Sequence, residues 1–133
     1  MERVVLLDVT QAGILFFSLL EEGGLKKEKK YRGQHPDVLA CLDLFLKSNH
    51  LVLDKINALV LLEGQGSFSV VRQAVAVLNT IYLIKKIPVF GLDVRIFSSF
   101  AEVIKAVSGT MKKKHGLLHP IYSGEPNITI PRK

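Results

Sequence analysis

Residues 57–92 have the sequence NALVLLEGQGSFSVVRQAVAVLNTIYLIKKIPVFGL, and this stretch decides the fold. Its first six residues form an almost continuous apolar run, which predicts a strand buried on both faces. Gly64 and Gly66 follow, so we expect the chain to turn sharply where this strand ends. An apolar segment of helical length, residues 67–84, then leads to a short apolar run at 88–92. The order strand, glycine turn, helix and strand predicts an α/β fold.

Three further strands are predicted on the amino-terminal side of this stretch. RVVLLD (3–8) and ILFFSLL (14–20) are short apolar runs without a helical period. EEGG separates the second run from LKKEKKYR (25–32), whose many charges are typical of an edge strand. The three strands are expected to form a meander.

Two more helices are predicted, over residues 35–50 and 97–107. Pro36 and Asp37 suit the first turn of the earlier helix, and Ser98 or Ser99 is the candidate N-cap of the later one. The apolar positions of the earlier helix that follow its period, and so should face the core, are Val38, Leu39, Leu42, Phe45 and Leu46. The full order βββαβαβα predicts a mixed five-stranded sheet with helices on its faces, which is the order of a ribonuclease H-like lobe.

The charge of the chain is uneven. The net charge is +6 over 133 residues, and residues 24–32 and 109–133 each contribute +4. We therefore expect one domain over residues 1–108 and a basic, extended tail over residues 109–133. Two basic patches on a near-neutral body suggest a polyanion such as RNA. The alternative is that the lysines only guard an edge strand against aggregation and solvate a loose tail.

The composition excludes several other classes of protein. The chain has no basic region before its first apolar run, and its longest apolar stretch, residues 74–84, is too short to span a membrane. Its one cysteine, Cys41, allows neither an internal disulfide nor a cysteine-based zinc site. The four histidines have no metal-ligand spacing, so we expect no metal site. We also expect a cytoplasmic protein without a cofactor.

The helix at 67–84 has more apolar surface than one sheet can cover. One stripe at helical spacing consists of Phe68, Val71, Val75, Leu78 and Tyr82, and a second of Val70, Ala74, Val77, Ile81 and Ile84. The second stripe packs either on a neighbouring helix of the same chain or on another subunit. A chain this short has few elements to cover it, which favours a subunit interface. The expected interface residues are Val70, Ala74, Val77, Ile81 and Arg72, with Cys41 and Leu44 of the preceding helix.

The loop GQGSFSVVR (64–72) lacks the lysine and the spacing of a P-loop. Gly64 and Gly66 favour a tight turn, and Ser67 or Ser69 can cap the helix that follows. The free amides at that helix start leave an anion site open as an alternative.

These residues carry a resemblance to the bacterial TsaB (YeaZ) family, which extends over nearly the whole chain. VLLEGQGSFSVVRQAVAVLNTIYLIKKIPVFGLD (60–93) is similar to the region where the family has a strand, a GPGSFTGLRIG-type loop and helix, and an IPVVGV-like strand. Gly64, Gly66, Ser67, Phe68 and Arg72 stand at the matching places. Two flanking segments resemble the opening and closing segments of the family, namely LLDVTQAGILFFSLL (6–20) and IYSGEPNITIPRK (121–133).

The resemblance implies a non-catalytic member of the actin-like ATPase superfamily. Members pair with TsaD, which transfers a threonylcarbamoyl group to adenosine 37 of tRNA, and TsaE and a TsaC-type enzyme complete the pathway. The implied partners are a TsaD-type subunit, a second copy of the chain and a TsaE-type ATPase. In the family the first two helices form the subunit interface. Contact with tRNA is implied only indirectly or through the basic patches.

The sequence departs from the family in two respects. Members have two lobes, and this chain has the length of one, so an interlobe nucleotide site is not expected. Asp8 and Thr10 match the turn that faces phosphate in the family. In this chain we expect the turn to be vestigial, with Asp8 capping it. In the motif itself, Gln65 and Gln73 replace proline and isoleucine of the family, and Val70 and Ala74 replace glycines.

The sequence is also compatible with two alternatives to the subunit role. One is a diverged paralogue that works as a stand-alone homodimer. The other is a ribonuclease H-like nuclease, in which carboxylates on separate elements bind two magnesium ions. The chain offers Asp8, Asp43, Glu63 and Glu102 in suitable elements.

Overall fold

The computed structural model describes residues 2–33, 36–64, 68–110 and 116–118. Within these ranges the chain forms five strands and three α-helices. The strands are β1 Arg3–Asp8, β2 Ile14–Glu21, β3 Gly24–Arg32, β4 Ala58–Glu63 and β5 Val89–Asp93, and the helices are α1 Val38–Ser48, α2 Phe68–Lys85 and α3 Phe100–Thr110. The strands pair in one sheet in the order β3-β2-β1-β4-β5.

The first three strands form an antiparallel meander along one side of the sheet. The turn between β2 and β3 has two central residues, Glu22 and Gly23, with φ of 53° and 81°. Positive φ at both positions defines the type I′ hairpin turn, whose twist matches that of paired strands. This turn fixes the register in which Glu21 faces Gly24. β3 is an edge strand because it lies at the end of the strand order.

The other side of the sheet is parallel. β4 pairs with β1 and with β5, so that the carboxyl ends of all three strands lie at one edge. Every residue of β4 is buried, because helices cover both faces of the sheet at this central position.

Two hydrophobic clusters lie on opposite faces of the sheet. The larger cluster joins α1 and α2 to the sheet and includes Phe17, Phe45 and Leu78. The rings of Phe17 and Phe45 stack with their centroids 5.4 Å apart. The smaller cluster packs Val103 and Val107 of α3 on the opposite face. The sheet is therefore covered by two helices on one face and by one on the other.

The predicted fold class is confirmed: a mixed five-stranded sheet in the order βββαβαβα. Helix α1 begins at Val38 rather than at 35, since Asp37 is its N-cap and accepts a hydrogen bond from the Ala40 amide at 3.0 Å. Helix α3 begins at Phe100 rather than at 97, and residues Val94–Ile96 form a 3₁₀ turn before it. Its N-cap is Ser99, whose hydroxyl accepts a hydrogen bond from the Glu102 amide at 3.3 Å.

Asn79 anchors a short segment beyond α3. Its side-chain oxygen accepts a hydrogen bond from the Leu118 amide at 2.7 Å, and its nitrogen donates to the Leu118 carbonyl at 3.1 Å. The side chain of Leu118 packs on the larger cluster. Within residues 109–133, predicted as an extended tail, α3 thus continues to Thr110 and residues 116–118 lie against the domain. Residues 111–115 and 119–133 fall outside the described ranges.

No helix within the described ranges combines the length and the apolar character that a membrane crossing requires.

Candidate functional site

The two helices on the larger cluster are joined by a polar clamp. The side-chain oxygen of Gln73 on α2 accepts a hydrogen bond from the Val38 amide at 2.6 Å. Its nitrogen donates to the Pro36 carbonyl at 3.3 Å. Gln73 therefore satisfies an amide at the start of α1 that has no partner within that helix. The clamp fixes α1 against α2, and the two helices also meet at the surface where Leu39 of α1 lies beside Val77 and Thr80 of α2.

Large aliphatic side chains are exposed on the two helices and on the connection that follows α1. Leu39 and Leu44 of α1 are 54% and 55% exposed, and Leu83 and Ile84 of α2 are 56% and 71% exposed. Val52, in the connection between α1 and β4, is 59% exposed. Single exposed aliphatic residues are ordinary, but a group of them on two paired helices marks an interaction surface. We call this group the α1–α2 outer face.

Two depressions lie in the outer face. One of about 210 Å³ is formed by Leu39 of α1 together with Ala76, Val77, Thr80 and Ile81 of α2. A second of about 240 Å³ lies between α1, the Leu53–Lys55 turn and the end of α2. Half of its ten lining residues are leucines, namely Leu39, Leu42, Leu46, Leu51 and Leu53.

Ion pairs border the second depression. Lys47 contacts Asp43 at 2.9 Å, and Lys85 contacts Asp54 at 3.3 Å. The border thus has positively and negatively charged side chains around an apolar centre, which is the usual arrangement of a protein–protein interface.

Most of the predicted interface residues are at least partly accessible at the surface. Leu44 is exposed, and Cys41, Val70 and Val77 are half-buried. Arg72 is exposed on α2.

Two predicted interface residues are corrected by the structure. Ala74 is fully buried and Ile81 is 6% exposed, because both pack into the larger cluster against the sheet. Helix α2 is rotated so that its buried face takes Val71, Val75 and Leu78 from one predicted stripe together with these two from the other. Ala74 is therefore not available to a partner, and Ile81 reaches the surface only where it lines the first depression.

Sequence reasoning also missed residues of the outer face. Leu39 was expected in the core, yet more than half of its surface is exposed. Leu83 was assigned to neither stripe. The available signal was the run of four apolar residues from Ile81 to Ile84, because four consecutive positions cover most of a helical turn and cannot all point at one sheet.

Cys41 lies between the outer face and the core. Burial raises the pKa of its thiol, and the nearby Asp37 carboxylate raises it further. A raised pKa leaves little thiolate at neutral pH, so the side chain acts as a small apolar group.

The glycine turn before α2 is required by its neighbours. Gly64 has φ of 111°, and a Cβ at this position would clash with the Asp93 carboxylate. Gly91 on the adjacent strand is equally constrained, since a Cβ would lie 2.6 Å from Oε2 of Glu63. Gly64 thus permits the close approach of the β4 and β5 ends. The other motif residues, Gly66, Ser67 and the side chain of Phe68, lie outside the described part of the structure.

The carboxyl ends of the parallel strands form a second candidate region. A cavity of about 220 Å³ is lined there by Asp8, Thr10, Ser98, Ser99 and apolar neighbours. The Asp8 carboxylate accepts hydrogen bonds from the amide of Thr10 at 2.8 Å and from its hydroxyl at 2.5 Å. Asp8 therefore caps the turn that follows β1.

The four carboxylates of the nuclease hypothesis do not converge. Asp43 is paired with Lys47 on the outer surface of α1, and Glu63 is 2% exposed at the end of β4. Glu102 accepts hydrogen bonds from the amide and hydroxyl of Ser98, and these bonds lower the pKa of its carboxyl group. Among the described residues, no three acidic, histidine or cysteine side chains are placed to hold a metal ion.

The architecture is that of a single ribonuclease H-like lobe. The solved structures that share it include YeaZ from Pseudomonas aeruginosa, and an uncharacterized protein from Pseudomonas aeruginosa with similarity to peptidase YeaZ. Each aligns with a TM-score of 0.60 and 21% identity, over 70% of this chain and 44% of the other. The chain thus spans less than half the length of these structures. The resemblance to the TsaB (YeaZ) family is confirmed at the level of the fold.

No family model matches the chain, and no curated protein matches it.

Proposed function

We propose that this chain is a non-catalytic TsaB-like subunit. It binds a TsaD-type subunit through the α1–α2 outer face and supports threonylcarbamoyl transfer to adenosine 37 of tRNA. The observation that carries the proposal is the group of exposed aliphatic side chains on two helices that Gln73 clamps together. The YeaZ-like fold supports it, because the family resemblance implies docking through these same two helices.

The outer face is suited to docking because its apolar centre is already formed. Leu39 and Ile84 are held on rigid helices, so little conformational freedom is lost when a partner covers them. Full burial of such a side chain contributes about 1.5–3 kcal/mol. The ion pairs beside the second depression give orientation rather than affinity, since exposed pairs contribute about 1 kcal/mol or less.

The test is co-expression with the TsaD-type protein of the same organism, followed by co-purification and size-exclusion chromatography. The wild-type chain is expected to form a stable complex. Ile84→Glu is expected to abolish it, because a carboxylate would have to be buried under the docked subunit. Ile84 is a sharper target than Val77, which is half-buried and whose replacement by a charge would also disturb the core.

Ile96→Glu is the matched control. Ile96 is 73% exposed, almost the same as Ile84, but lies in the 3₁₀ turn before α3 and away from the outer face. The control variant should keep the complex. Equal loss of the complex in both variants would contradict docking through α1 and α2.

A stand-alone homodimer is the second candidate for the same surface. It is favoured by the border of the second depression, which has both acidic and basic groups and is therefore electrostatically self-complementary. Light scattering of the purified chain tests it. A dimer that Ile84→Glu converts to a monomer, without any complex with a TsaD-type protein, would support this role instead.

A further inference from the structure

Strand β3 has a high density of cations at the free edge of the sheet, and they are distributed over both faces of the strand. Every residue of Gly24–Arg32 is exposed except Tyr31, which is half-buried. The cationic residues of the strand are Lys26, Lys27, Lys29, Lys30 and Arg32. We call these five residues the β3 array. Glu28 is the single acidic residue of the strand, so its net charge is +4.

The array is held on a rigid element. β3 is paired with β2 from Ile14 opposite Arg32 to Glu21 opposite Gly24, with one register shift between Leu19 and Leu20 that leaves Lys26 without an opposite residue. The Tyr31 ring packs edge-on against Phe17 of the core, with centroids 5.8 Å apart. The Lys30 ammonium lies 5.2 Å from the centroid of the Phe16 ring on the neighbouring strand. The backbone under the array is thus fixed before any ligand arrives.

The charge of the array is not neutralised by the described part of the molecule. The salt bridges found there engage Arg3, Lys47, Lys85 and Arg95, and none involves a residue of the array. One or two lysines would already discourage pairing of the edge with another sheet. Five cations within seven residues exceed that need, and their mutual repulsion favours a bound polyanion.

We propose that the β3 array binds the phosphate backbone of RNA. Seven extended residues span about 20 Å at roughly 3.3 Å per residue, which is long enough to follow several phosphates. Phosphate binding follows from the charge and placement of the array alone, while the choice of RNA rests on the proposed function.

A protein partner fits this strand poorly. Lysine is depleted at the centre of protein–protein interfaces, where aromatic and other large apolar anchors provide most of the affinity. The one large apolar side chain exposed on β3 is Leu25 at 45%. Nucleic-acid interfaces, by contrast, are strongly cationic and polar.

The array is also separate from the α1–α2 outer face. The outer face is formed by residues between Leu39 and Asp54 and between Ala76 and Lys85, whereas the array belongs to an earlier strand at the sheet edge. A docked subunit and an RNA can therefore occupy the chain at the same time.

The experiment measures fluorescence anisotropy of a labelled RNA stem-loop with the purified chain alone, at low and at moderate salt. The test variant neutralises three array residues in the combination Lys27→Gln, Lys29→Gln and Lys30→Gln. Its affinity is expected to fall about tenfold or more, and the slope of log K against log salt to decrease by about 2, because three phosphate contacts are removed.

The control variant removes the same charge elsewhere, in the combination Lys55→Gln, Lys86→Gln and Lys105→Gln. These three lysines are exposed on other elements. The control should bind RNA within about twofold of the wild type at equal salt. Circular dichroism and thermal melting of both variants verify that each is folded.

Three results would overturn the proposal. Equal weakening in the two variants would show that net charge alone attracts RNA. Tighter binding of a DNA stem-loop of the same sequence would remove the assignment to RNA. Displacement of the RNA by polyglutamate at equal charge concentration would point to an acidic polypeptide instead. No TsaD-type subunit is present in the assay, so its outcome is independent of the docking test.

Discussion

The inner and outer faces of α2 contain the same kinds of residue and serve different ends. On the inner face, Val71 and Leu78 are almost fully buried against the sheet. On the outer face, Leu83 and Ile84 are more than half exposed. Only the direction in which each side chain points distinguishes the two groups. Apolar character alone therefore does not separate residues that stabilise the fold from residues that are available for recognition.

The difference in burial between the two faces can be tested with paired substitutions, one at a buried position and one at an exposed position. A pair shares residue type and helix propensity, so that burial is the main variable. A large difference between the members of a pair supports the observed rotation of α2, and a small one contradicts it.

The largest effect is expected for Leu78→Ala. Leu78 is 2% exposed in the larger cluster, and truncating a buried leucine destabilises a protein by about 2–5 kcal/mol. Urea denaturation followed by circular dichroism measures the change in the free energy of unfolding. Leu83→Ala is the matched control, and it should change that free energy by less than about 0.5 kcal/mol. If the control were the more damaging substitution, the rotation of α2 described here would be wrong.

The next largest effect is expected for Gln73→Ala, which removes the clamp between α1 and α2. The Val38 amide would lose its acceptor and the Pro36 carbonyl its donor. Loss of a helix cap and of a partly buried hydrogen bond destabilises by about 1–2 kcal/mol. Gln11→Ala, at an exposed position in the turn after β1, is the control and should be nearly neutral. Hydrogen exchange should increase at the start of α1 in Gln73→Ala, and unchanged protection there would contradict the clamp.

The elements were predictable because their signals are local. The unbroken apolar run of β4 marks a strand buried on both faces, and Glu22 and Gly23 mark a two-residue hairpin. The hydrogen bonds between Asp8 and Thr10 and the capping of α3 by Ser99 also arise within a few residues of the sequence. Such contacts depend on spacing along the chain, and spacing is visible in the sequence.

The candidate site was less predictable because its signals are not local. Helix α2 has apolar residues around most of its circumference, so periodicity alone does not set its rotation. The sheet and α1 decide that Ala74 and Ile81 point inward. The contact between Gln73 and Val38 joins residues that are 35 positions apart, and no sequence pattern indicates it. Leu39 was placed in the core for the same reason, since apolar character alone does not distinguish it from the neighbouring Val38, which is buried.

A smaller effect is expected for Asp93→Asn, at the end of β5. Arg95 donates a side-chain hydrogen bond to the Asp93 carboxylate, and this bond lowers the pKa of the carboxyl group. A lowered folded-state pKa stabilises the protein above the unfolded pKa of about 3.9, and the stabilisation is lost as the pH falls through the folded value. The variant should therefore be less stable than the wild type at pH 7, by about 1 kcal/mol or less. The difference should shrink as the pH is lowered from about 4.

Arg95→Gln is the companion variant for this pair. It removes the cause of the lowered pKa and should reproduce the loss of stability at pH 7. In the double variant the two losses should not add, because each single substitution already breaks the same interaction. Additive losses would show that Asp93 and Arg95 act on stability separately.

The smallest effect on stability is expected for Ile84→Gln, which returns the comparison to the outer face of α2. Ile84 is 71% exposed, so its replacement by a polar residue of good helix propensity should change the free energy of unfolding by less than about 0.5 kcal/mol. Ile81→Gln, three residues earlier and 6% exposed, should lose several times more, because a buried amide would lack partners. The same two proteins separate folding from recognition: Ile84→Gln should remain as stable as the wild type while binding of the fluorescent dye ANS to the outer face decreases. Dye binding that stays at the wild-type level would mean that Ile84 is not part of a continuous apolar surface.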